Sequence, residues 1–448
     1  MEMSVVDQAL EQVRERLAAN DLVGAIAIIE ALRPPDQAEV FSDLPPEQQE
    51  TLLPQLSVPD AADILEELED EDAAELASRL HPEALADILD EMEPDEAADL
   101  LGDLEPPQMM DVLSRMEDAE EIRPLLLHRD KTAGGLMTSE FLALRTRMTV
   151  REALNTVRRW DGETDLAYLF VVDRDDRLQG VVSLFHLIRA DPEARLDTLM
   201  DPDVIYIHTE ADQEECARLM SRYDLSALPV VDADRRLRGV ITWDDLVEVL
   251  EDEATEDFER FGGTLPLGKP YLDTGAFEIA RRRFGWLLLL FITETFTGTV
   301  LRHFEKELDA VVALAYFVPL LIGTGGNAGT QCTSTIIRAL ALGDITFRDA
   351  LRVWWHEVRV GFLLGLGMAT VAFLRALTWG SGDALATTVA LSILVIVVWA
   401  NFMGSFLPLL ASKFKIDPAV ISGPAMTTLV DATGLMIYLV LAKHILHL

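Results

Sequence analysis

The chain has 448 residues, with 37 Lys and Arg against 77 Asp and Glu and only two cysteines; that length exceeds one ordinary core and calls for several domains. From residue 284 onward ten basic side chains balance ten acidic ones, so the whole excess of −40 falls on residues 1–283, where 27 basic groups face 67 acidic ones. Such a surface repels nucleic acid and attracts multivalent cations, while Cys216 and Cys332 share no ligand spacing, which points to a reducing compartment without a zinc motif or disulfide framework.

Residues 1–20 are charged throughout and lack the apolar core of a signal peptide. Residues 39–116 then repeat every 12. Carboxylates recur at Glu39, Asp63, Glu75, Asp87, Asp99 and Asp111, each followed by an apolar residue (Val40, Ile64, Leu76, Ile88, Leu100, Val112). A second apolar position follows at Leu44, Leu68, Leu80, Met92, Leu104 and Met116, and prolines at 46, 82, 94 and 106 mark helix starts, where a missing N–H is harmless. The pattern predicts a stack of short helices, one per repeat, wound as a small superhelix over residues 1–131.

Residues 137–250 hold a second duplication, offset by 59. Leu169-Phe170-Val171-Val172-Asp173 answers Leu228-Pro229-Val230-Val231-Asp232, and Asp175, Arg177, Leu178, Gly180, Val181 and Leu187 answer Asp234, Arg236, Leu237, Gly239, Val240 and Leu246. Each copy reads as helix, buried strand, acidic turn, strand and helix. The pair resembles tandem cystathionine-β-synthase (CBS) domains, with boundaries expected at 132–199 and 200–242. Residues 243–270 follow as an acidic connecting helix with nine carboxylates between Asp244 and Glu259, broken by Gly262, Gly263, Pro266 and Pro270.

The remainder, 271–448, predicts five membrane-spanning helices at about 284–305, 310–341, 354–378, 384–412 and 418–446 against the ~20 residues a bilayer needs, the third with a shorter apolar run (360–374) extended by Trp354, Trp355 and Trp379, aromatics suited to the interface. With the N-terminus in the cytosol the inner flanks carry Arg281, Arg282, Arg283, Arg338, Arg348, Arg352, Lys413 and Lys415, and the outer flanks only Arg302, Lys306, Arg375 and Lys443. That bias sets the acidic half in the cytosol and the C-terminus outside.

Asp431 sits in mid-span within Thr427-Thr428-Leu429-Val430-Asp431-Ala432-Thr433-Gly434. A carboxylate at that depth is costly unless it faces water or a cation, so a pore ligand is favoured over a protonated, hydrogen-bonded acid. Gly323-Thr324-Gly325-Gly326-Asn327-Ala328-Gly329-Thr330-Gln331 is expected to weaken its helix at mid-membrane and line a cavity, with tight small-residue packing as the alternative. Asn401, with Gly404 and Pro408, is a second polar spot open to both readings. Glu294, in the first span, reads as a second cation site or as an outward-leaning residue where the bilayer is thin; the latter is favoured here.

In domain order and length the chain resembles the MgtE family of magnesium channels, and Ala133-Gly134-Gly135-Leu136-Met137-Thr138, Gly323-Thr324-Gly325-Gly326-Asn327 and Asp431-Ala432-Thr433-Gly434 carry that resemblance. It implies a homodimer in the cell membrane in which two Asp431 carboxylates bracket one hydrated Mg²⁺, with Gly326, Asn327, Thr428 and Ala432 beside them. It also implies an acidic sensor that closes the pore on binding cytosolic Mg²⁺. The matching sensor positions are Asp63, Asp95, Asp99, Glu214, Asp224, Asp245, Glu248, Glu253, Glu256, Asp257 and Asp417; Glu248 is longer than the aspartate usual at its position. CBS domains often hold adenine nucleotides through a Ser or Thr and an Asp three residues on. Thr242 and Asp245 fit that pattern for ATP, whereas Ser183 is followed by His186. The expectation is therefore a Mg²⁺ influx channel, not an enzyme, with a proton- or sodium-coupled divalent exchanger as the alternative.

Overall fold

Helix starts fall every 12 residues through the acidic half because a proline or a capping residue recurs at that interval. In the computed structural model, which describes residues 5–160, 162, 167–267, 271 and 274–448, the helices are α1 (Val5–Ala18), α2 (Leu22–Ile29), α3 (Pro34–Ser42), α4 (Pro46–Leu52), α5 (Val58–Glu66), α6 (Asp70–Arg79), α7 (Pro82–Leu89), α8 (Pro94–Asp103), α9 (Pro106–Leu113) and α10 (Ala119–Ile122). Starts at 34, 46, 58, 70, 82, 94 and 106 keep the period. Where no proline opens the first turn, an acidic one does (Asp70, Glu71, Asp72 in α6), which suits the positive end of the helix. Of the two apolar positions per repeat, Val40, Ile64, Leu76, Ile88, Leu100 and Val112 are all buried, and the second set closes the layer behind them at Leu44, Leu80, Met92, Leu104 and Met116. Each helix packs on the next but one, α3 on α5, α5 on α7, α6 on α8 and α7 on α9, which builds a two-row superhelix.

The duplicated segment folds as two small three-stranded sheets. The first orders β1 (Ala143–Arg145), β2 (Tyr168–Val172) and β3 (Leu178–Ser183), with α11 (Val150–Val157) joining the parallel pair β1–β2 and α12 (Leu184–Arg189) following β3. After α13 (Leu196–Leu199) the second repeats the order with β4 (Ile207–His208), α14 (Gln213–Tyr223), β5 (Ala227–Val231) and β6 (Leu237–Thr242). The register shows the duplication directly: Val171 pairs with Gly180 and Val230 with Gly239, both antiparallel. The copies face each other across a shared apolar layer of Phe170, Val172, Leu178, Val231, Leu237 and Val240. The backbone N–H of Leu178 donates to Arg235 O (2.9 Å) and that of Leu237 to Asp176 O (2.9 Å), a two-fold exchange between the acidic turns.

Continuous helix α15 (Trp243–Phe261) carries the boundary between two units, Met1–Glu251 and Asp252–Leu448. Its C-terminal turn ends at Gly263, held at φ +77, a left-handed conformation that glycine adopts without strain; Pro270 lies outside the described residues. The second unit is helical: α16 (Ala276–His303), α17 (Glu305–Ala310), α18 (Ala313–Ala341), α19 (Ala350–Thr378), α20 (Gly382–Lys413) and α21 (Gly423–Ile445). Among the described residues four helices are long and apolar enough to cross a membrane, namely Ala276–His303, Phe347–Thr378, Gly382–Lys413 and Gly423–Ile445. Five spans were expected. The 29-residue α18 is long enough, but its Gly, Thr, Asn and Gln dilute its hydropathy, and it packs along both α20 and α21.

One expectation is corrected here. The Gly323–Gln331 stretch does not weaken its helix, since α18 runs unbroken through it. An added Cβ at Gly325 would lie 2.5 Å from Ile396 Cγ2 and 2.8 Å from Val430 Cγ1, and one at Gly329 would lie 2.9 Å from Met426 Cε. Gly325, Gly326 and Gly329 are where α20 and α21 press against α18, which is the small-residue packing of membrane bundles.

Candidate functional site

In the helical unit Asp431 stands against α18. An added Cβ at Gly326 would come within 2.9 Å of Thr427 Cγ2, so this glycine makes room for Thr427, and it would lie in ordinary contact with Asp431 Oδ1 at 3.6 Å. Asp431 Oδ1 is buried without a hydrogen-bond partner, although the residue as a whole is half-exposed. One turn below, the Thr330 and Thr427 hydroxyls meet at 3.3 Å across the same contact. Beside it Gly323, Asn327, Gln331 and Ser334 form an exposed polar face of α18, and Thr428 and Ala432 are half-exposed on α21. The structure thus brings Gly326, Asn327, Thr428, Asp431 and Ala432 to one stretch of α18 and α21. Asn401 takes another part: it is buried, and its Nδ2 donates to Val397 O of its own helix at 2.9 Å. Its carbonyl accepts from Cys332 Sγ (3.3 Å), which also donates to Glu357 Oε2 (3.3 Å), a charged residue in the N-terminal part of α19 that sequence alone does not single out.

In the first unit the carboxylates of α8, where sensor ligands were expected at Asp95 and Asp99, face the start of α15. Asp95 is 6% exposed, with Oδ1 unpartnered, and burial followed by Asp245 raises its carboxyl well above the ordinary value. Burial and then Asp95, Glu248, Asp99 and Glu66 push Glu96 up to about 9. For Asp99 the causes are burial and then Asp130, Asp70, Asp103 and Glu248, which bring it to about 7. Glu93 also reaches about 7 through burial and the charges of Asp245, Glu66, Asp244 and Glu140. Few groups placed in this way keep their charge without help, and a cation or a proton supplies it. Glu93 and Glu96 were not among the expected ligands; the signal open to sequence was that four of the six residues at the start of α8 are acids, Glu91 and Glu93 just before it and Asp95 and Glu96 in its first turn.

The other expected sensor positions lie apart. Asp63 is on α5 beside Glu67, whose carboxyl is raised by burial and then by Asp63. Glu214 and Asp224 are exposed at opposite ends of α14, roughly 15 Å apart by helix rise. Within the second unit, Glu253, Glu256 and Asp257 on α15 meet Asp417 of the loop before α21. Asp257 is pushed up to about 6, by burial first and then by Asp417 and Glu253, with Arg260 opposing. Arg260 pairs with both Glu256 and Asp417, and Asp417 accepts from Ala419 N at 2.7 Å. A guanidinium therefore already fills part of the place assigned to a cation. Among the described residues no group of three or more His, Cys, Asp or Glu converges as a metal cage.

Thr242 and Asp245 are engaged with each other: the Thr242 hydroxyl donates to Asp245 Oδ2 at 2.7 Å and its N–H at 2.9 Å. In the first copy His186 N donates to Ser183 Oγ at 3.2 Å, so the equivalent place carries a cap and no carboxylate.

Three family models match. A divalent cation transporter model, MgtE, covers residues 318–441, the MgtE intracellular N domain covers 32–131, and the CBS domain covers 133–193 and 196–252. The chain is 45% identical over 330 residues to the magnesium transporter MgtE of Thermus thermophilus, covering 73% of this chain and 72% of that protein. Against the magnesium transporter MgtE of Bacillus subtilis it is 33% identical over 332 residues, 74% and 73% of the two chains. Among solved structures it is similar to the cytosolic domain of the Mg²⁺ channel MgtE in complex with ATP (TM-score 0.51, 38% identity, 54% of this chain and 99% of that one). The soluble part of a magnesium transporter is also similar (TM-score 0.50, 32% identity, 56% and 99%).

Proposed function

The chain belongs to the MgtE family of magnesium transporters, and from that premise we propose that it is a Mg²⁺ channel whose ion passes Asp431 and whose acidic half closes it. The observation that carries this reading is the Asp431 carboxylate standing near Gly326 and the polar face of α18, with one oxygen unpartnered. Mg²⁺ sheds water reluctantly and is held by one or two carboxylates acting through its shell. A homodimer would offer two Asp431 carboxylates, one from each protomer, to one hydrated ion. Influx needs no coupled fuel, since a divalent ion gains about 4.6 kcal/mol per 100 mV of inside-negative potential.

Gating follows from charge. Carboxylates of α8 and α15 that are crowded and poorly solvated repel one another until Mg²⁺ neutralises them. An ion that binds the compact arrangement better shifts the population toward it. In this reading Asp95, Asp99, Asp245 and Glu248 hold one such ion and Glu253, Glu256, Asp257 and Asp417 another, with Asp63, Glu214 and Asp224 as outlying contributors. ATP would bind at the second CBS copy, where Thr242 and Asp245 must first release each other. The cell membrane, with both acidic segments in the cytosol and the C-terminus outside, is the setting this function requires.

The test is Mg²⁺ current through purified protein in patches, wild type beside Asp431→Ala, with Mg²⁺ stepped on the cytosolic side. The reading expects current in wild type, its loss or altered permeation in the variant, and silencing by cytosolic Mg²⁺. Flux that follows a proton or sodium gradient without current would replace the channel by an exchanger.

A further inference from the structure

Two contacts set the register of α16 against α21. Near the cytosolic end Trp286 Nε1 donates to Ser422 Oγ at 3.2 Å; at the far end Glu307, just past α16, pairs with Lys443 at 2.5 Å. Both pairs are separated by 136 residues, so the two segments run parallel with a constant offset. At that offset Glu294 stands level with residue 430, one short of Asp431. Its charge is close enough to act on the Asp431 carboxylate. Glu294 is exposed on the surface of the single chain, and it lies 11 residues from Arg283 and 8 from Arg302, close to the middle of the span. A carboxylate there that faced lipid would be among the costliest placements a membrane helix can make.

A second observation comes from Thr297, one turn on from Glu294 and the one fully buried residue of α16, at 6% exposure. Threonines in helices usually return their hydroxyl to a carbonyl of the preceding turn. Thr293 does so to Leu290 O (2.8 Å), Thr295 to Ile292 O (2.6 Å) and Thr299 to Thr295 O (2.9 Å). Thr297 Oγ1 alone among these has no partner, and it shares that state with Asp431 Oδ1. Two orphaned oxygens and a second carboxylate within about one helical turn of one another along the bundle describe a place where a polar guest completes the bonding.

We propose that Glu294 is a second carboxylate of the ion path, acting with Asp431 and the Thr297 hydroxyl, all within about one helical turn in depth, to hold the permeating hydrated divalent cation. The inference rests on the transport reading above and adds to it a ligand on the first membrane helix. Four carboxylates in a dimer, instead of two, raise the occupancy of the path by divalent ions.

Two measurements on the full-length protein in liposomes test it. Glu294→Gln keeps size and hydrogen bonding and removes the charge; it should raise the half-saturating Mg²⁺ concentration for flux about fivefold, the scale of one charge contact in a wet site, with little change in maximal rate. Glu294→Cys should react with a cationic thiol reagent, since the native Cys216 and Cys332 are buried, and Mg²⁺ should slow that reaction. Half-saturation in Glu294→Gln equal to wild type, or labelling of Glu294→Cys that is absent or indifferent to Mg²⁺, overturns the proposal. Absence of Mg²⁺ flux in wild type would instead overturn the transport reading, and the labelling result would still report whether position 294 faces water.

Discussion

Replacing Gly325 and Gly323 by alanine, one at a time, separates the two physical roles a glycine can have in α18. At Gly323 no heavy atom lies within 4 Å of an added Cβ, so Ala brings only its better helix propensity, a gain of about 0.5–1 kcal/mol. At Gly325 the Cβ meets Ile396 Cγ2 at 2.5 Å and Val430 Cγ1 at 2.8 Å. Both contacts are methyls of β-branched side chains with stiff χ1 angles, which cannot swing aside cheaply. Overpacking of that kind costs about 1–3 kcal/mol, and the propensity gain offsets only part of it. The two variants should therefore differ by about 2 kcal/mol in opposite senses around wild type, and for a unit of this size each kcal/mol moves the midpoint by about 2–4 °C. Thermal loss of the monodisperse peak of full-length protein in detergent reads the order: Gly325→Ala lowest, wild type between, Gly323→Ala highest. Because Val430 neighbours Asp431, Gly325→Ala should also lower Mg²⁺ flux. If Gly325→Ala melts at or above Gly323→Ala, the glycines are not packing surfaces and the continuous, tightly seated α18 is the wrong picture.

Asp431→Asn keeps the shape of the side chain and removes its charge, so it should depress Mg²⁺ flux in liposomes while leaving the thermal midpoint close to wild type; equal loss of both would mean a structural role. Arg260→Gln leaves Glu256, Asp257 and Asp417 without their cation. The variant should melt below wild type in chelator, and the gap should close as Mg²⁺ is added; a gap that Mg²⁺ leaves untouched would remove these acids from the sensor. The third expectation concerns pH. Glu93, Glu96 and Asp99 bind a proton more tightly when folded than their ordinary values of 4.5, 4.5 and 3.8, reaching about 7, 9 and 7. Raised carboxyls lend stability that is complete below about pH 4 and is lost as pH climbs through 7 and then 9. Without divalent ions the acidic unit should therefore melt progressively lower between pH 6 and 9, and added Mg²⁺ should stabilise it more at pH 8 than at pH 6. A flat profile by calorimetry would show that the crowding on α8 is relieved in some other way.

The architecture was legible where local chemistry and burial agree. A 12-residue spacing of proline or acid and two apolar positions is enough to set helix starts and their buried faces, because each repeat packs only on its near neighbours. The duplicated strands were legible for the same reason: Val171 over Gly180 and Val230 over Gly239 are contacts between segments close in sequence. The depth of Asp431 could be read from the length of its apolar flanks. What could not be read was any property that depends on which helix lies beside which. Glycine weakens a helix in water, which marks the Gly323–Gln331 run as fragile in sequence, yet inside a bundle Ile396, Val430 and Met426 decide its role, and these lie on two other helices. Arg260 stood unremarked among nine carboxylates, since only the fold shows that it bridges Glu256 to Asp417, 157 positions beyond it. Glu294 is the sharpest instance. From sequence it is one charge in an apolar span, and a thin patch of bilayer is a sufficient account of it. Once Trp286 meets Ser422 and Glu307 meets Lys443, the same residue is carried to the level of Asp431, beside a hydroxyl that its own helix leaves unbonded. Helix register, a quantity no single span contains, is what turns an unexplained charge into a candidate ligand.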